Sequence, residues 1–137
     1  MLVCIYNVRV IMDTLRTIVL DDHLTFRRAL RNLLKRFEYI QLTGEAGSAE
    51  EALKVVEEHP PHLAIVDIHL GGMNGFDFAR ILKQRFPQTQ VIFITLYNTS
   101  SNRSEAARLG FPYVLKESLL EELPSVLEKI KDKLTAI

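Results

Sequence analysis

The chain has 137 residues, nearly half of them hydrophobic, which suits one domain with a real core. Seventeen basic residues balance seventeen acidic ones, so charge gives no support for non-specific binding to nucleic acid or membrane. A single cysteine, Cys4, excludes an intramolecular disulfide and fits a cytoplasmic setting, and no apolar run reaches the roughly 18 residues of a membrane span.

In chain order, Met1–Met12 is apolar but lacks a basic leader and is broken by Asn7 and Arg9, which makes it a poor signal peptide. It reads as an N-terminal extension to a domain spanning 13–137. Met12 is a natural alternative start, and Leu2, Val3, Ile5, Tyr6, Val8 and Val10 are strand-prone enough for an edge strand or a dimer contact. Leu15–Leu20 is short, apolar and β-branched, and stops at Asp21-Asp22. From His23 to Phe37, Phe26, Leu30, Leu33, Leu34 and Phe37 recur at helical spacing. Ile40–Thr43 reads as a short strand. Ser48 and Glu51 form a capping box that opens a helix, and Pro60-Pro61 forbids its continuation.

Leu63–Ile68 is apolar on both faces except for Asp67, the pattern of a central parallel strand. Gly71, Gly72, Asn74 and Gly75 suggest a flexible loop, followed by a helix from Phe76 to Phe86. Val91–Leu96 is a second buried strand. Polar residues 98–104 lead into a helical Glu105–Leu109, with Gly110 as its C-cap. Tyr113–Leu115 is the last strand. Ser118 and Glu121 offer a second capping box, and Pro124 is expected in or near the first turn of the last helix.

Five βα units with buried strands imply a doubly wound α/β domain, a parallel sheet with helices on both faces and a site beyond the C-terminal strand ends. Asp21, Asp22, Asp67, Thr95 and Lys116 all fall at such ends. Three carboxylates on one rim repel one another, and a divalent cation removes the conflict. Oxygen donors point to Mg²⁺; a hydroxyl and an ammonium beside it make a phosphate cradle. Taken singly, the Asp pair could be a helix cap, Thr95 a strand residue and Lys116 a surface residue; joint placement favours a site. His59, His62 and His69 lack the Cys or His partners of a transition-metal centre.

The segments LDDH at 20–23, IVDIHLGGMNG at 65–75, IT at 94–95 and YVLK at 113–116 resemble the response-regulator receiver family of two-component signalling. GEAGSAEEAL at 44–53 is similar to the subclass that often precedes a LuxR-type DNA-binding domain. The resemblance implies a flavodoxin-like (βα)5 sandwich with strand order 2-1-3-4-5. It implies Asp67 as phosphoacceptor from a sensor histidine kinase or phosphotransfer protein. Mg²⁺ would be held by Asp22, Asp67 and the main-chain carbonyl of His69, with Asp21 assisting. Thr95 and Lys116 would hold the phosphoryl oxygens, and Thr95 and Tyr113 would switch the face of helix four, strand five and helix five. Tyr113 could also simply face the core.

Such a chain is not an enzyme in the ordinary sense, although it assists its own phosphorylation and dephosphorylation. Its partners would be the kinase, an unknown downstream protein and a homodimer mate, with no direct nucleic-acid or membrane contact. Three departures stand out: Gly71 replaces a usual proline, Leu96 a small residue, and Glu117 a frequent proline. The alternatives are a phosphorylation-independent interaction module and the receiver fragment of a longer DNA-binding regulator. A small phosphatase is disfavoured because Asp67-Ile68-His69 lacks a second acid.

Overall fold

The computed structural model describes residues 14–135; the N-terminal extension at 1–12 lies outside the described residues. Strands β1 (Leu15–Leu20), β2 (Ile40–Ala46), β3 (Leu63–Asp67), β4 (Gln90–Thr95) and β5 (Tyr113–Leu115) alternate with helices α1 (Leu24–Leu34), α2 (Ala49–Glu58), α3 (Gly75–Arg85), α4 (Ser100–Leu109) and α5 (Leu119–Thr135). All strand pairs are parallel, in the order β2-β1-β3-β4-β5. The doubly wound α/β fold and its strand order are as expected.

The alternation of side chains along each strand builds two cores. Ile18, Leu20, Ala64, Val66, Val91 and Phe93 face one way, against Val56 of α2, Phe78 and Leu82 of α3 and Ala106 of α4. Leu15, Val19, Leu63, Ile65, Ile92 and Ile94 face the other, against Leu30 and Leu34 of α1 and Leu123, Leu127 and Ile130 of α5. Every residue of β3 is buried, so the carboxylate at its end sits on a rigid base. Burying each large side chain in these layers is worth about 1.5–3 kcal/mol.

Local chemistry corrects several expected boundaries. β2 runs on to Ala46, past the expected end at Thr43, because a register shift opposite Thr17 and Ile18 absorbs the extra residue. Gly44, just past the shift, lets α2 pack close to the strand, since a side chain there would strike Val55 Cγ1. Ser48 accepts the Glu51 amide at 3.2 Å, and Glu51 reaches back to the amide of Gly47 at 3.4 Å, one residue before its expected target. α4 begins within the polar stretch at Ser100, because Thr99 accepts the Asn102 amide at 3.0 Å. Gly110 ends it with φ 81°.

The end of the segment 71–75 belongs to α3 and its cap. Only Gly72 among its glycines needs a positive φ, at 76°. Asn74 caps α3, and Gly75 is its first residue. Pro124 is the sixth residue of α5, not a first-turn residue, because the helix starts at Leu119 after a 3₁₀ turn over Lys116–Ser118. The bond it removes is the one to the carbonyl of Leu120, an exposed residue where solvent can substitute.

Candidate functional site

β1 and β3 end side by side, β5 ends one strand further on across β4, and each of the three delivers one charged residue to the same point. Asp21 follows β1, Asp67 is the last residue of β3, and Lys116 follows β5. Lys116 Nζ lies 2.7 Å from Asp21 Oδ2 and 3.2 Å from Asp67 Oδ2. All three side chains are nearly closed to solvent, at 5, 0 and 4% exposure respectively. The Lys116 ammonium also rests 4.1 Å from the centre of the Phe26 ring, a cation–π contact made by α1.

Asp21 Oδ1 accepts the amide of His23 at 2.7 Å, and Asp67 Oδ1 accepts the amide of His69 at 3.1 Å. Asp21 Oδ2 is buried and has no aligned hydrogen bond, so the short approach of Lys116 is a Coulomb contact, not a directed one. Burial pushes the Asp67 carboxyl above its ordinary range and Asp21 adds to the shift. Lys116 and the His69 amide pull the other way.

Asp22 is more open than Asp21, and its Oδ1 lies 3.0 Å from His23 Nδ1. One donor atom from each of Asp21, Asp22, His23 and Asp67 falls within 4.8 Å of the others. The donor set is mainly carboxylate oxygen, and it includes a buried oxygen in need of a partner. That fits a hard divalent cation such as Mg²⁺.

A cavity of about 130 Å³ opens over Asp67, lined by His23, His69, Leu96, Tyr97 and Lys116. Thr95 ends β4 and is fully buried; its Oγ1 accepts the Tyr97 amide at 3.1 Å. The carbonyl of Tyr97 accepts the Tyr113 hydroxyl at 2.7 Å. One residue therefore connects the Thr95 hydroxyl to the Tyr113 ring, which is half-buried and does not simply fill the core. The His69 ring meets Tyr97 edge-on at 4.9 Å.

The structure thus brings together Asp21, Asp22, Asp67, Lys116 and His69, with Thr95 and Tyr113 one contact away. His62 lies at the opposite end of the sheet, its Nδ1 taken by the Arg16 amide. Among the described residues neither His59 nor His62 joins a metal-binding cluster. Pattern reading missed His23, Phe26 and Gly75. A Cβ on Gly75 would come within 2.9 Å of Ile68 Cα and strike the Asp67 carbonyl, so this glycine lets α3 start against the end of β3. Its signal in the sequence is only a glycine opening a helical pattern.

The sequence profile of the response regulator receiver domain matches residues 17–128. The chain belongs to the response regulator receiver family. This receiver is 33% identical over 110 residues to the transcriptional regulatory protein YhcZ of Bacillus subtilis, covering 80% of this chain and 51% of that protein. It is 31% identical over 117 residues to the sensory transduction protein LytT of Bacillus anthracis, covering 85% and 47%. The chain spans about half the length of these curated relatives. Among solved structures, the receiver domain of the response regulator NarL from Mycobacterium tuberculosis superposes with a TM-score of 0.79 at 27% identity, covering 87% of this chain and 98% of that one. A LuxR-family response regulator from Aurantimonas gives 0.82 at 28% identity, covering 88% and 86%. Receivers are signalling domains, phosphorylated in partnership with histidine kinases, that carry an acidic Mg²⁺ pocket. No helix among the described residues is long and apolar enough to cross a membrane.

Proposed function

We propose that this receiver, taken as 13–137 with 1–12 as an extension, accepts a phosphoryl group on Asp67 in a Mg²⁺-dependent reaction. The observation that carries the reading is the Asp67 carboxylate at the end of a fully buried strand, beside Lys116 and Asp21 and lining a small cavity. Asp22, Asp67 and the main-chain carbonyl of His69 would hold the ion, with Asp21 assisting through water. When bound, Mg²⁺ supplies charge neutralisation on the phosphoryl oxygens.

The chain's own residues then act by position. A carboxylate oxygen of Asp67 attacks phosphorus in line, and the phosphorus–nitrogen bond of the donor's phosphohistidine breaks. Lys116, pinned by Phe26, pairs with the phosphoryl oxygens in exchange for a carboxylate. Thr95 keeps a hydroxyl proton for another oxygen while Tyr97 donates to it. Movement of Thr95 toward the phosphate pulls on Tyr97, and through its carbonyl on Tyr113. This is a route to the face of α4, β5 and α5, for an unidentified downstream protein or a second copy. Leu24, Leu96, Tyr97 and Leu120 are exposed apolar residues that could meet a donor. The domain assists its own phosphorylation and dephosphorylation, and its setting is the cytoplasm.

The test is intact mass after incubation with Mg²⁺ and acetyl phosphate. One phosphoryl group is expected on the wild type and none on Asp67→Asn, whose amide cannot form an acyl phosphate. Equal labelling of Asp67→Asn would refute the assignment. A second reading makes this switch the input half of a longer DNA-binding regulator, supported by relatives named as transcriptional regulators of twice the matched length. The reading frame after Ile137 tests it.

A further inference from the structure

Asp21 is held by three contacts, one of them on the peptide that joins it to Asp22. The Asp21 amide donates to Ala46 O at 3.0 Å, and Asp21 Oδ1 receives the His23 amide. The third contact comes from α1: Arg27 Nη1 donates to the Asp21 carbonyl at 2.7 Å. That carbonyl belongs to the peptide plane between the two acids. Its orientation fixes ψ of Asp21 and φ of Asp22, and so the direction in which the half-open Asp22 side chain leaves the backbone.

Arg27 is itself clamped. Its Nε donates to Glu45 Oε1 at 3.2 Å, while Arg31 Nε and Nη2 both lie 2.7 Å from Glu45 Oε2. Glu45 stands on β2 opposite Val19, one residue before the carbonyl that receives Asp21. The hydrogen bond from Arg31 holds its carboxyl below the usual range, so the clamp stays charged. Gly47 leaves room for the guanidinium, since a Cβ there would come within 3.2 Å of Arg27 Nη1. Arg27 is four-fifths buried in this arrangement, whereas both partners of the Arg80–Asp77 pair are about half-exposed.

We infer that Arg27, clamped by Glu45, is a positioning residue that sets the affinity of the acidic pair for Mg²⁺. The inference rests on the Mg²⁺ reading proposed above. Arg31 provides the internal contrast: it pairs with the same carboxylate and has no contact with Asp21 among the hydrogen bonds of the described residues. A purely structural role for the cluster would make the two arginines equivalent; a positioning role separates them.

The experiment is a Mg²⁺ titration of the ¹⁵N-labelled full chain, read at the amides of Asp22 and His23. Groups that orient metal ligands commonly change affinity about 10–100-fold, so Arg27→Met is expected to raise the Mg²⁺ Kd about tenfold. Acetyl-phosphate labelling of Arg27→Met at saturating Mg²⁺ should recover to near the wild-type rate, because the nucleophile is untouched. Arg31→Met should keep the wild-type Kd, and Arg27→Lys, which can reach the carbonyl but not both partners, should fall between. If Arg27→Met does not fold, Arg27→Lys against Arg31→Lys carries the same comparison. Equal Kd values for wild type and Arg27→Met, or equal increases for Arg27→Met and Arg31→Met, overturn the inference alone. A wild type whose Asp22 amide does not respond to Mg²⁺ overturns the functional reading and this inference with it.

Discussion

The two ends of the sheet are closed in opposite ways. At the N-terminal end, neutral groups satisfy one another. The Arg16 amide donates to His62 Nδ1, the His62 amide to Arg16 O, and the Gln90 amide to His62 O, each at 2.8 Å. Buried Thr89 closes the same corner by donating to Pro61 O. At the C-terminal end, two buried carboxylates share one ammonium, and one carboxylate oxygen has no aligned donor. The strands are the same, so the difference comes from the residues placed at each end of them. One end is finished for stability. The other is left in electrostatic conflict, which the cation of the proposed function would relieve.

The strongest way to break this comparison is Lys116→Met. It removes the charge that offsets both carboxylates and the group that would meet the phosphoryl oxygens. Loss of one such preorganised contact commonly costs about 10²–10³ in rate, so acetyl-phosphate labelling should fall about a hundredfold. Substitution at the other end, Thr89→Ala, should leave that rate unchanged. A Lys116→Met protein that labels at the wild-type rate would mean that the charge conflict is not used.

Gly75→Ala tests whether the acidic end depends on close backbone packing. The new methyl meets main-chain atoms of Asp67 and Ile68, which cannot swing aside as a side chain can. Overpacking of this kind costs about 1–3 kcal/mol, and denaturant melts should show a loss near the top of that range. Gly71→Ala, with nothing within 4 Å, should change stability little and serves as the control.

These residues also mark what a sequence can disclose. Sequence patterning located every strand and α-helix of the described residues, though not the 3₁₀ turn after β5, because both faces of the sheet are covered and buried positions recur at fixed spacing. Asp21, Asp67 and Lys116 stood out because charge at the end of an apolar strand demands a reason. Boundaries set by single contacts were hidden. β2 outruns its pattern through a register shift at Thr43, and α4 starts early on the strength of one Thr99 cap. The roles of Phe26 and Arg27 were hidden too, since an aromatic and an arginine on an amphipathic helix look the same whether they face a site or solvent.

The stable end makes a prediction about pH. Burial, with Arg16 nearby, holds the His62 imidazole below its ordinary pKa, so folded His62 resists protonation. Between its folded and unfolded values the unfolded chain binds more protons. The His62 contribution is therefore complete above the unfolded value of about 6.5 and is lost as pH falls from there toward the folded value. Thermal melts between pH 7.5 and 5.5 should show that decline, and His62→Asn, which can still accept the Arg16 amide, should flatten it. An unchanged slope in His62→Asn would assign the decline to another group.

Leu96→Ala is the smallest expected effect and bears on how far the acidic end is shielded. Leu96 follows Thr95, is 60% exposed and lines the cavity over Asp67 beside Tyr97. That exposure leaves little packing beneath α4 to lose, so stability should hold. Hydrolysis of an Asp67 phosphoryl group needs a water in line with the bond to phosphorus, and Leu96 and Tyr97 form one wall of the approach. Trimming Leu96 widens that wall without touching a charged group, while the Tyr97 and His69 rings still cover part of it. The expected gain is about two- to threefold in decay rate, equivalent to roughly half a kcal/mol in the barrier. The measurement is loss of phosphoryl from labelled protein in Mg²⁺ after the donor is removed. A decay no faster than wild type would show that water reaches Asp67 by another side of the cavity, past His23, and His23→Ala should then be the variant that changes the rate.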